Sequence, residues 1–431
     1  MISIPAPRAR WASFLGALPD DERVLWLPPH ERGWAGIGAA CRLEVTGRQW
    51  RTQLADAARA LFDRLQTHAL YGAPHTARLV GGLAFAPDAP PSPVWRAFGA
   101  GRFVLPRWTY SVSDTGGTLT VAVEGRPHSS DVAHLRDEAQ RLLACLDADA
   151  FVELPVGDGR ATLTSSTSVD SWRTLIDEIR AGVAEGRFRK VVAARHSELV
   201  ASHPIDPLQV LSRLDAGFPD CFRFGMLLGG EAFVGATPER LVARRGLRIF
   251  ADALAGSMAA VPSDPGAGDR LRADGKERLE HALVVEAIRE TLSRFASHLQ
   301  IGAAPQILTL RHVLHLHTPV VGELARPVHV LDLVEALHPT PAVGGLPRAE
   351  ALAWIAASEG GDRGLYAGPV GWFDGHGDGE FAVAIRSALL AGDRARIYAG
   401  AGVVADSNAE AELAETELKQ RAMLSALGYC A

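Results

Sequence analysis

Two pairs of glutamates stand three residues apart in the chain: Glu277 with Glu280 in the run KERLEH, and Glu412 with Glu415 in AELAET. At that spacing on a helix both members of a pair share one face. The ordinary use of such a face is contact with water, and two features argue for more. Lys276 and His281 do not by themselves balance both acids of the first pair. The second pair lies just beyond Gly400-Ala401-Gly402 and a helix start, a combination suited to anions. A hard divalent ion held by a few carboxylates, keeping waters and sharing a substrate carboxylate, is the chemistry of Mg2+. Lys419 follows Glu415 by four, the spacing of a surface ion pair.

Helices must present these pairs. Asp274 to His298 reads as one long helix with Val285, Ile288, Leu292 and Phe295 on one face. Ser407-x-x-Glu410 has the form of a capping box opening a final helix to about Leu427. Trp172, Ile176, Ile179 and Val183 form a helical stripe that Gly186 ends. Another helix is expected near 131–147. Strands are expected at Lys190–Leu199, at Cys221–Leu228 with Ala232–Gly235 around Gly229 and Gly230, and at Arg396–Val403. Tyr366–Phe373 and Gly379–Leu390 flank the turn FDGHGDG. Ala259–Asp269 reads as a loop, and RLVGGLAFA and GTLTVAVEG as short strands. Composition shifts at the Pro-rich Ala86–Pro93 and at the polar Val156–Ser168, a linker between residues 1–155 and 156–431. Several strands follow each other through short turns, which predicts an α+β fold with mainly antiparallel sheets.

The 431 residues are 47% hydrophobic and 22% charged, which excludes wholesale disorder. A net charge of −6 with scattered Lys and Arg leaves no basic stripe for nucleic acid. No window approaches the roughly 18 uninterrupted apolar residues of a membrane span. The first residues carry acids early and show no signal-peptide core, so an unexported protein is expected. Cys41, Cys145, Cys221 and Cys430 form no C-x-x-C pair, consistent with reduced thiols in the cytoplasm.

Seven motifs occur in a fixed order: KVVAARH at Lys190, GATPERL at Gly235, KERLEH at Lys276, LHPTPAVGGLP at Leu337, YAGPVGW at Tyr366, AIRSA at Ala384, and YAGAGVVADSNAEAELAETELK at Tyr398. Together they resemble the chorismate-binding enzymes: isochorismate synthase, salicylate synthase, and the large subunits of anthranilate and aminodeoxychorismate synthases. The resemblance covers about residues 165–428. The segment WRAFGAGRFVLPRW also resembles menaquinone-pathway isochorismate synthases. The family divides by nucleophile. Members that add water are similar to this chain at Lys190, where ammonia users usually carry Gln. Ala255, in DALAGS, stands where aminodeoxychorismate synthases often have a nucleophilic Lys. LHPTPAVGG is similar to isochorismate synthases.

The resemblance implies large, mainly antiparallel sheets in a sandwich with helices outside, with residues 1–155 contributing strands to it. It implies that chorismate becomes isochorismate as water attacks C2 and the C4 hydroxyl leaves. Lys190 would be the base and Glu239 the acid. Mg2+ would sit on Glu280 and Glu415, with Glu277 and Glu412 direct or through water. Arg386 is suited to fork onto the enolpyruvyl carboxylate. Tyr398, the Gly400 and Gly402 amides and Lys419 would help hold carboxylates. His338 would approach the metal or ring, or cap a loop. Ala342 and Val343 would wall the ring, with Tyr366 packed nearby. Lys190 works as a base only with its pKa well below the ordinary value of about 10.4. Glu239 must be protonated near neutral pH, which burial in FVGATP favours. The menaquinone pathway is the expected use; salicylate synthase, a siderophore-pathway isochorismate synthase, an anthranilate-type aminating enzyme and a silent paralogue are the alternatives. Neither an obligatory glutamine amidotransferase subunit nor an oligomer is expected.

Overall fold

Runs rich in β-branched and aromatic residues, bounded by Gly and Asp turns, become strands throughout the chain. The computed structural model describes all residues except 32, 70–75, 114–115, 126–127, 150–160, 262, 360–362 and 430–431. Among the described residues, 21 strands pair into one continuous sheet. Its centre is the long strand Gly101–Ser113. One arm runs from there through Trp34–Glu44, Glu22–Leu27, Phe222–Leu228, Glu231–Thr237, Ser387–Ala391 and Arg394–Val403 to Lys190–Ala201. The other runs through Arg78–Leu83, Pro369–Asp374, Gly379–Val383, Arg240–Arg245 and Arg248–Ala259 to Val313–Leu324. All these pairings are antiparallel. Strands from the first 113 residues therefore sit in the middle of the sheet, between partners from beyond residue 220.

The two arms curl towards each other and share a core. Val191 and Ala193 from the end of one arm pack in the same buried cluster as Ala253 and Val320 from the end of the other. Helices Pro207–Gly217, Gly275–Leu292 and Ala409–Leu427 cover the strands from outside. With helices on one side and the opposite arm on the other, strand Glu231–Thr237 is buried from Ala232 to Thr237 without alternation. The expected α+β sandwich is the fold observed.

Several local expectations are corrected. The helix from Gly275 ends at Leu292, and Ala296–Ile301 instead pairs with Val313–Leu324. The apolar period runs on past Leu292, but a sheet edge there offers backbone partners that a helix would forgo. Within Val156–Ser168, residues 156–160 lie outside those described, and Ala161–Ser165 adds a strand to Lys190–Ala201. The loop after Ala259 gives way at Ala267 to a short helix. Gly379–Leu390 is broken between Val383 and Ser387, with Arg386 at φ 53°. The last helix is capped by Asn408, whose side chain accepts the Ala411 amide at 3.0 Å, and not by Ser407. Ser407 Oγ accepts the Val404 amide instead.

Candidate active site

The acids are brought in by two helix starts. Asp274 caps the Glu277 amide at 3.0 Å, fixing the helix so that Glu277 and Glu280 are both buried. The helix from Ala409 turns Glu412 and Glu415 towards them; Glu412 is buried and Glu415 half-buried. Lys190, first residue of its strand, is fully buried with Nζ 2.9 Å from Glu280 Oε1. Lys276 Nζ lies 3.1 Å from Glu277 and 2.7 Å from Glu412. Lys419 Nζ lies 2.5 Å from Glu415 and donates to Gly400 O at 2.9 Å.

Negative charge is crowded here. Burial pushes Glu277 up to about 7; Glu280 and Glu415 add repulsion that Lys276 only partly offsets. Burial, then Glu415, also raises Glu412. Burial works against the Glu415 carboxylate too, but Lys419 outweighs it and holds this acid below its ordinary value. Both carboxylate oxygens of Glu412 are buried without an aligned hydrogen bond. Among the described residues no three His, Cys, Asp or Glu side chains converge on one point; each acid faces a lysine. The donors are all oxygen, overloaded with negative charge and in part unbonded. That donor set fits a hard divalent cation.

Glu239 follows the strand Glu231–Thr237, in the turn into Arg240–Arg245. Thr237 Oγ1 accepts its amide, and its carbonyl accepts the Val383 amide at 3.0 Å. The side chain is buried and its Oε1 has no hydrogen-bond partner. Burial pushes the carboxyl up to about 8, with Lys190 and Lys419 pulling the other way. A carboxyl in that state keeps its proton at neutral pH.

Glu239, Glu280, Ala342, Val343, Tyr366, Arg386, Tyr398, Gly400, Gly402 and Lys419 line one pocket of about 550 Å³, its mouth included. Lys190, Glu277, Glu412 and Glu415 stand just behind this lining. A wider surface groove beside helix Ala267–Ala273 holds none of the candidate residues.

Gly402 is required by close approach. A Cβ there would lie 2.2 Å from Glu280 Oε1 and 2.7 Å from Lys190 Cε. Strand Ser387–Ala391 pairs with Arg394–Val403 only as far as Ile397, leaving the edge at 398–403 open. Across the other edge, Gly400 and Gly402 face Ala194 and Val192. The amides of those two partners point away, to Glu359 Oε1 and Gly344 O. These are therefore the narrow pairs of the ladder, and the Gly400 and Gly402 amides point out of the open edge. Among the described residues neither amide has a hydrogen-bond acceptor, and beside Lys419 the two form a place for an anion.

Arg386 reaches the pocket because the strand breaks. Ala384 bonds back to Gly368 O at 2.9 Å and Ala367 to Ala384 O at 3.0 Å, a local turn that leaves Arg386 in the left-handed region. Such a conformation costs a non-glycine residue on the order of 1–3 kcal/mol. The guanidinium donates to His315 Nε2 at 2.9 Å, and the imidazole contacts Gly256 O and Ser257 Oγ through Nδ1. Arginine only donates, so this imidazole is neutral; burial and then Arg386 hold its pKa well below the ordinary value. Tyr366 stacks on Tyr398 with centroids 5.1 Å apart.

His338 is not brought to the pocket. It ends the helix Val330–Leu337, and its Nε2 donates to Phe85 O at 3.0 Å. Leu254, Gly256, Ser257, His315 and Ile385 line the pocket without having been read from the sequence. Gly256, at φ 79°, makes a bulge against Val313–Leu324 that turns the Ser257 amide onto Glu277 Oε2 at 2.7 Å. A glycine inside a strand pattern was the available signal for that bulge.

The chain matches the family model described as "Chorismate binding enzyme" over residues 2–428. It is 36% identical over 418 residues to the salicylate biosynthesis isochorismate synthase of Pseudomonas aeruginosa, covering 94% of this chain and 84% of that protein. It is 36% identical over 361 residues to isochorismate synthase MenF of Bacillus subtilis, covering 81% and 74%. The solved structure of MenF, the menaquinone-specific isochorismate synthase from Escherichia coli, superposes with a TM-score of 0.79 at 28% identity over 99% of this chain and 94% of that one. A match of this extent, with the buried acids and bases gathered at one pocket, establishes that the chain belongs to the chorismate-binding enzyme family.

Proposed function

We propose that the protein is an isochorismate synthase that isomerises chorismate. Water attacks C2, both double bonds of the ring diene shift by one position, the C4–O bond breaks, and the protonated C4 hydroxyl leaves as water, so atoms and electrons balance. Glu239 carries the reading: it is a buried carboxyl that keeps its proton at neutral pH and opens on the pocket. It protonates the departing C4 hydroxyl. Lys190 takes the proton of the incoming water. Arg386, Lys419 and the Gly400 and Gly402 amides hold the substrate carboxylates. Glu280 and Glu415, with Glu277 and Glu412, would hold Mg2+. When bound it offsets the charge of a substrate carboxylate.

Lys190 and Ala255 together support water over ammonia as nucleophile. The full-length likeness to a menaquinone-specific enzyme supports that pathway as the consumer, and the relative named for salicylate biosynthesis is an isochorismate synthase too. Incubation with chorismate and Mg2+, with chromatographic identification of products, tests the reading. Isochorismate is expected, abolished by EDTA. Fluorescent salicylate, an aminated product, or full turnover without metal would overturn it.

A further inference from the structure

We infer that Arg363 is a positioning residue for the reaction proposed above: it fixes the ring wall at Val343 against the strand that begins with Lys190. This inference rests on that functional reading. Arg363 is buried, and its guanidinium makes a fork between two backbone segments. Nη1 donates to Val343 O at 2.7 Å and Nη2 to Val192 O at 2.8 Å. Both residues line the pocket, and Val192 is two positions beyond Lys190.

The rest of the cluster makes this grip rigid. Glu359, one helical turn earlier in sequence, accepts Arg363 Nε at 2.8 Å and also pairs with Nη2. Its Oε1 accepts the Ala194 amide at 2.9 Å, so the acid holds the same strand from the other side of Val192. The guanidinium lies 4.3 Å over the Phe85 ring, and Phe85 O takes His338 Nε2. The wall loop also touches the strand directly, through Val192 N to Gly344 O at 2.8 Å and the pairing of Leu346 with Lys190. Arg363 adds what those bonds do not supply, a single rigid group that holds both carbonyls at once. None of these atoms reaches the substrate carboxylates, which fall to Arg386, Lys419 and the glycine edge. Losing the fork therefore shifts the base relative to the ring while leaving the carboxylate contacts in place. A misplacement of about 1 Å costs on the order of 100-fold in rate.

The test compares wild type, R363M, E359Q and R363M/E359Q. Each single variant leaves one buried charge unpaired and is expected to melt at lower temperature. The double variant removes both charges, and the glutamine still accepts the Ala194 amide. It is expected to melt near wild type and keep its KM for chorismate, with kcat reduced on the order of 100-fold. R363K keeps the ion pair without the fork; it gives the same split if the double variant does not fold. Hydrogen exchange at residues 190–194 and 342–346 is expected to quicken in both, and that reading needs no substrate. Wild-type kcat with wild-type exchange overturns the inference. So does activity lost only in proportion to the unfolded fraction. A wild-type protein that leaves chorismate untouched overturns the functional reading instead, and exchange still decides whether the fork exists.

Discussion

At the scale of single residues, Glu239 stands apart from the other acids of the site. Burial holds its proton, and its Oε1 has no hydrogen-bond partner, whereas Glu280 faces Lys190. Lys190→Ala and Glu239→Gln are each expected to lower kcat on the order of 10²–10⁴-fold with KM little changed, in both reaction directions. Arg386→Ala shows the opposite pattern, a marked rise in KM, because it removes a carboxylate contact made in the ground state. Steady-state kinetics on the purified variants distinguish the two. The pH dependence follows from Glu239: its acid form is lost as pH rises through about 8, so turnover falls there. The same shift acts on stability. A carboxyl raised in the folded state contributes stability that is complete below the ordinary carboxylate pKa and lost as pH rises through about 8. Glu239→Gln flattens that slope, which melting curves between about pH 5 and about pH 9 read directly.

Elements show why some of this was legible and some was not. The two glutamate pairs could be read because a helix repeats locally: three residues apart means one face. Lys190 at the head of a β-branched run and the Gly400-Ala401-Gly402 segment were equally visible, although that segment is strand and not turn. Arg386 was read as a carboxylate fork, but the strand break that aims it was invisible. The break depends on Gly368 and Ala384, segments that only the folded sheet brings together. The Gly256 bulge and the His315 support for Arg386 depend on cross-strand register in the same way. His338 reads two ways in the sequence, towards the metal or ring or onto a loop, because the partner that decides, the Phe85 carbonyl, is more than 250 residues away. The glycine edge gives a prediction at this scale. Gly402→Ala puts a methyl where Glu280 and Lys190 meet. It should abolish turnover and weaken Mg2+ binding by calorimetry, with circular dichroism unchanged.

For the whole molecule, the boundary near residue 155 does not mark a removable part. Glu22–Leu27 and Arg78–Leu83 each pair with strands from beyond residue 220, and Gly101–Ser113 joins the two arms. Deleting residues 1–155 would leave Phe222–Leu228 and Pro369–Asp374 as raw edges beside an opened core. The remainder is expected to aggregate rather than fold, as size-exclusion chromatography and circular dichroism would show. The same interleaving governs birth of the protein on the ribosome. The strand ending at Leu27 waits for residue 228, and that ending at Leu83 waits for residue 374. Pairings of such long sequence separation are slow to form and leave unpaired strands exposed meanwhile. Glu412, Glu415 and Lys419 stand on the helix Ala409–Leu427, so the proposed site is complete only after that helix is synthesised. A nascent chain is therefore expected to expose unpaired strands until the Ala409–Leu427 helix is made, and to gain its site all at once.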